Sequence, residues 1–146
     1  MKRTIVWIAA LLALWAAPLW AGEKDDFNEG PVTVVTAVRT EVGQWDHYVK
    51  HLRNNWKPVM EAQKQAGIIL GYSVQSTRPR TPDEPNIYLV VTYPNMAAFD
   101  GLGDRAEPVA QKVTGMDREA SRKANAERES MRKILGTEMI RELVLK

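Results

Sequence analysis

Two short segments, residues 32–40 (VTVVTAVRT) and 87–93 (IYLVVTY), carry apolar side chains in both of their alternating sets. A β-strand points successive side chains to opposite faces of its sheet, so strands of this composition have to be covered on both sides. That requirement decides most of the architecture. One face can be covered by helices of the same chain, and the other needs a second layer.

The helices are legible between the strands. Over residues 44–66 the spacing changes to three and four, placing Trp45, Val49, Leu52, Trp56, Val59, Met60 and Gln63 on one stripe of an amphipathic helix that Gly67 would cap. Pro58 lies inside it, removing one backbone donor, and predicts a kink at Asn54–Pro58. Residues 68–77 (IILGYSVQST) alternate as a second strand, and the proline-rich residues 78–86 form the loop of an antiparallel hairpin with residues 87–93. Asn95 can cap a short helix through Phe99. Residues 105–135 mix charges of both signs around a narrow apolar stripe and read as a solvated helix broken near Gly115 and closed by Gly136. Residues 139–145 (MIRELVL) read as the last strand. The order strand, helix, strand, strand, helix, strand predicts a ferredoxin-like α+β fold, with an antiparallel sheet in the order 4-1-3-2 and both helical segments on one face. No further layer remains for the other face. A symmetric homodimer whose sheets pack face to face supplies it.

Ahead of the domain, Lys2 and Arg3 precede an uncharged stretch from Thr4 to Ala21, which has the charged start, apolar middle and small-residue exit of a cleaved export signal. The expected organisation is a signal peptide over residues 1–21, a flexible leader over residues 22–30 (GEKDDFNEG) and a single domain over residues 31–146, in the periplasm or secreted, with no membrane partner after cleavage. Removing the signal takes away two basic residues and no acid, so the formal charge of +2 becomes zero, with 18 basic and 18 acidic side chains. Nucleic acid is therefore not an expected partner. The absence of cysteine rules out disulfides, thiolate metal sites and a cysteine nucleophile.

The segments VTVVTAVRTEVGQWDHYVKHLRNNW, IYLVVTYPNMAAFDG and IRELVLK together resemble the dimeric α+β barrel superfamily, which includes antibiotic-biosynthesis monooxygenase-like domains. The resemblance spans most of residues 31–146, with a region from 104 to 135 that is longer than the single helix usual in the group. It implies a homodimeric barrel and any of several activities, among them cofactor-independent oxygenation, haem breakdown, isomerisation and small-ligand binding, so function has to come from the site.

The candidate site residues are few. His47 and His51 share an i, i+4 spacing that could hold a metal or haem, although both fall away from the apolar stripe and toward solvent. Arg39 and Arg141 interrupt apolar strands and could orient an acidic ligand, and Tyr72 and Tyr88 could line an aromatic pocket. Two accidental motifs carry no weight. Gly101-Leu-Gly103-Asp-Arg-Ala106 lacks the parallel strand–helix context of a dinucleotide fingerprint, and Ser130-Met-Arg-Lys133 lacks the partner motifs of penicillin-interacting enzymes. No cofactor is implied and no acid, base and nucleophile set is evident. The expected function is a small-ligand-binding or structural module taking an apolar or aromatic ligand. The alternatives are a cofactor-independent monooxygenase-like enzyme acting on an aromatic or quinol-like substrate, and haem or metal binding through His47 and His51.

Overall fold

The computed structural model describes residues 26–146, and the expected export signal lies outside the described residues. Four strands, β1 (Phe27–Thr40), β2 (Gly71–Ser76), β3 (Ile87–Tyr93) and β4 (Arg132–Leu145), form one antiparallel sheet in the order β2-β3-β1-β4. This is the expected ferredoxin-like order, read from the opposite edge. Helices α1 (Trp45–His51) and α2 (Lys57–Gln65) run on through a π turn at Leu52–Trp56, and α3 (Leu102–Thr114) and α4 (Arg118–Glu127) follow β3. Among the described residues no helix is long and apolar enough to cross a membrane.

Alternation along the strands sorts the two faces. Val38 and Ile87 pair across β1 and β3 and pack with Tyr48 and Leu52 in the core, which Trp56, Leu89 and Met131 flank. Each such side chain contributes roughly 1.5–3 kcal/mol by leaving water. The intervening residues, Val35 and Ala37 on β1 and Tyr88 and Val90 on β3, project from the opposite face, away from the core cluster that the described helices pack against.

Several boundaries differ from the sequence reading, each for a stated reason. The expected leader does not stay free up to Gly30. β1 begins at Phe27 because Phe27, Asn28 and Glu29 pair with Leu145, Val144 and Leu143, and backbone pairing overrides a polar composition. β4 begins at Arg132 and passes through Gly136, which lies opposite Ala37 beside a register shift, so that glycine sits within a strand irregularity and ends no helix. The segment 105–135 is two helices and a 3₁₀ turn (Arg128–Ser130), divided at Gly115, whose φ of 69° lies in the left-handed region. Asp117 restarts the chain as a cap, its Oδ1 accepting from the Ala120 amide at 2.8 Å. β2 is shorter than expected, with Ile68 and Ile69 buried in the turn before it.

The predicted kink takes the form of the π turn. The Lys57 amide donates to the Leu52 carbonyl, five residues back, and the widened turn lets Pro58, without an amide hydrogen, enter the first turn of α2. A π turn spends one residue more than an α turn. The inward face ahead of it is consequently displaced by one position from the stripe projected back from Val59 and Gln63. Tyr48 is buried where Val49 was expected, and Val49 is 40% exposed.

Candidate functional site

The displaced face of α1 and the π turn looks across at α3, α4 and the sheet over a cavity of about 360 Å³. Leu52, Val59, Leu89, Ala110, Met116 and Ile134 make its apolar walls, and one end is polar, formed by Tyr48, His51, Asn55, Asn125, Arg128 and Arg132. Two triplets with the same spacing of three and four supply that end: Tyr48, His51 and Asn55 from the first helical segment, Asn125, Arg128 and Arg132 from the end of α4 into β4.

Arg132 is buried, 8% exposed, with its guanidinium carbon 5.9 Å from the centre of the Tyr48 ring. Its Nη2 and that of Arg128 both donate to Asn125 Oδ1, at 3.1 and 2.7 Å. No aspartate or glutamate lines the cavity, and neither arginine takes part in an ion pair among the described residues. Burial, followed by the charge of Arg132, lowers the Arg128 pKa. Burial raises that of Tyr48, with Arg132 opposing it. His51 is pushed below its usual range by burial and by Arg128 and Arg132.

Hydrogen bonding assigns the His51 tautomer. Asn55 Nδ2 donates to the His51 carbonyl at 3.4 Å and lies 3.2 Å from its Nδ1. A backbone carbonyl only accepts, so the amide is oriented with its NH₂ toward His51, and Nδ1 must accept as well. The neutral ring then carries its proton on Nε2. The polar end thus offers two cations, a neutral imidazole and a phenol, an arrangement suited to receiving an anion.

The sequence-predicted residues fall elsewhere, with one exception. His51 is half-buried and lines the cavity, stacked on Tyr48 with ring centres 6.2 Å apart. His47 is exposed, so the two histidines do not converge, and among the described residues no group of three or more His, Cys, Asp or Glu could hold a metal ion. Arg39 Nη1 donates to the Glu84 carbonyl at 3.2 Å and ties down the proline-rich loop. Tyr72 donates to Glu61 Oε1 and meets the Trp56 ring edge-on at 5.3 Å, behind the cavity wall. Tyr88 projects from the uncovered sheet face opposite Ala37 and Gln75. Arg141 pairs with Glu29 at 2.6 Å where β1 and β4 run together. Sequence reading missed Tyr48, Asn55, Asn125, Arg128 and Arg132. The repeated three-and-four spacing of polar residues was the available signal.

Fold and site together define a ferredoxin-like α+β protein with a cationic-ended cavity between its helices and sheet. No protein-family model and no curated protein sequence matches the chain. Among solved structures it is similar to HapK from Hahella chejuensis, at 13% identity and a TM-score of 0.49 over 77% of this chain and 92% of that one. It is also similar to protein SO0527 from Shewanella oneidensis, at 16% identity and a TM-score of 0.48 over 81% and 96% of the two chains. A dimeric ferredoxin-like protein from an uncultured marine organism matches at 10% identity and a TM-score of 0.48, over 82% of this chain and 90% of that one.

Proposed function

We propose that the chain is an exported, homodimeric binding module whose cavity holds a small organic acid, with the carboxylate on Arg128 and Arg132 and an apolar or aromatic body against Leu52, Leu89 and Met116. The observation that carries this reading is the pair of neighbouring arginines lining a largely apolar cavity with no carboxylate among its lining residues. A buried cation without a counter-charge is costly, and an anionic ligand offsets that cost. The volume lies within the range of small-molecule sites. The neutral His51, its Nδ1 engaged by Asn55, acts as a hydrogen-bond donor toward the ligand, which favours binding over a base-initiated oxygenation.

Calorimetric titration of the purified protein with benzoate and hexanoate, and with benzylamine and hexylamine as cationic counterparts, tests the reading. The acids bind, the amines do not, and Arg128→Gln with Arg132→Gln abolishes acid binding. Equal binding of acids and amines, or of neither, refutes it.

The homodimer rests on the uncovered sheet face that carries Val35, Ala37, Tyr88 and Val90. Light scattering should give twice the chain mass and Val90→Glu should halve it; a clean wild-type monomer at micromolar concentration removes the dimer. Export rests on Lys2, Arg3 and the Thr4–Ala21 segment, and N-terminal sequencing of the exported protein starting near Gly22 is the expected result, with an intact N-terminus the refuting one.

A further inference from the structure

The acid-binding cavity does not end at Asn125. A second cavity of about 490 Å³ adjoins it, and the two share Ala110, Met116, Ser121 and Asn125 among their lining residues. The outer cavity runs between α2, α3 and α4, bordered by Gln63, by Gln111 and by Arg118, which bonds Glu107 through Nε at 2.8 and 3.0 Å.

Gln63 is the unusual member. Three polar residues of the described chain are buried, and two of them are satisfied: Thr40 accepts from Asn86 Nδ2 at 2.7 Å, and Arg132 donates to Asn125. Gln63 is equally buried, 8% exposed, yet its side-chain amide has no hydrogen-bond partner among the described residues. Its backbone is engaged, the carbonyl accepting from the Ile68 amide at 3.0 Å, so the residue is held in place and only the amide is free. Buried amides are almost always paired. Since no side-chain nitrogen or oxygen of the described residues is both sealed from solvent and unpartnered, this amide keeps some accessible surface, and Gln63 lines the outer cavity.

Resting on the reading of Arg128 and Arg132 as the carboxylate site, we infer that the two cavities form one channel and that its ligand is bifunctional. The ligand is an elongated acid whose distal end carries a hydroxyl or carbonyl oxygen that pairs with the Gln63 amide. The residues common to both cavities are Ala110, Met116, Ser121 and Asn125, so a chain or a flat ring joining the two would run past a small residue and a flexible one with two polar side chains beside it. The amide both donates and accepts, so a distal alcohol is recognised as well as a ketone, whereas a methyl end leaves the amide unpaired.

Hexanoate, octanoate, decanoate and dodecanoate, each compared with its ω-hydroxy counterpart by calorimetric titration, supply the test. At the chain length that spans the channel, the hydroxyl should tighten binding by about three- to tenfold, the range one net hydrogen bond gives. Gln63→Leu should cancel that gain at the same length. Gln63→Met, of similar length and flexibility, guards against a packing defect, since the hydroxyl gain is a ratio measured within each folded variant. If the wild type binds the acids without a hydroxyl gain at any length, or if the gain survives both substitutions, the second subsite is overturned while the acid reading stands. If no acid binds the wild type, the acid reading falls and takes the channel with it.

Discussion

Arg132→Met separates a ligand site from a structural one. In the wild type Arg132 is buried, donates to Asn125 Oδ1 at 3.1 Å and sits over the Tyr48 ring. Losing a hydrogen bond to a charged group costs about 1.5–3 kcal/mol, and losing the cation–ring contact about 0.5–2 kcal/mol. Against these stands the desolvation of a guanidinium held beside Arg128 with no facing carboxylate, a penalty of several kcal/mol even after relaxation. Methionine fills similar space without a charge and suits a wall made of Leu52, Leu89 and Ile134. The balance predicts a variant at least as stable as the wild type, with a gain of about 1 kcal/mol, or a rise in Tm of about 3–5 °C for a domain of this size. Acid binding should weaken by about 10- to 100-fold, because the lost contact is a charge-assisted one. Urea denaturation and calorimetric titration of both proteins with benzoate provide the measurements. A destabilisation beyond about 2 kcal/mol, with benzoate affinity unchanged, would show that the arginine pair holds the fold together and would refute the reasoning.

Three further outcomes are expected. The His51 ring should titrate below 6.5 by NMR, since burial, Arg128 and Arg132 all disfavour its charged form; its contribution to stability is complete above 6.5 and is lost as pH falls through the folded value, and a midpoint at or above 6.5 contradicts the burial. Ultraviolet titration should place Tyr72 ionisation at about 12, with Glu61→Gln returning it toward 10.0, because the hydrogen bond to Glu61 is the largest cause of the shift; the stability this bond contributes is full below 10 and fades as pH rises to about 12, and an unchanged midpoint in the variant removes that cause. Gly115→Ala should cost roughly 1–2 kcal/mol, since its φ of 69° is left-handed, and an unaltered urea midpoint would show that the α3–α4 junction relaxes freely.

The sheet was legible because its signal is local and periodic. Val32–Val38 and Ile87–Tyr93 alternate in a way that only a two-faced strand satisfies, and they pair in the structure residue for residue. The ends of β1 and β4 were not legible, because Phe27–Glu29 becomes strand only by pairing with Leu143–Leu145 and Arg132–Gly136 only by pairing with Ala37–Thr40, partners far away along the chain. The site was hidden by a different cause. A period of 3.6 carried through Pro58 puts Val49 inside, and the extra residue of the π turn puts Tyr48 and His51 there instead. Arg128 and Arg132 sit in a run of mixed charge, which composition alone assigns to solvent. Only the fold shows that both line a cavity from which the neighbouring Glu127 and Glu129 are left out.

The π turn also bears on how this site could arise or vanish in a lineage. Closing Leu52–Trp56 into an ordinary α turn with every residue kept would restore α-helical phase, turning Val49 toward the sheet and Tyr48 and His51 away from it, while α2 and the hairpin beyond it keep their places. The apolar core would close over, and the arginines would lose the residues opposite them. A cavity and a plain packed layer here differ by the form of one helical turn, and among proteins sharing this architecture the register of the first helix, more than its composition, would mark which of them keep a cavity.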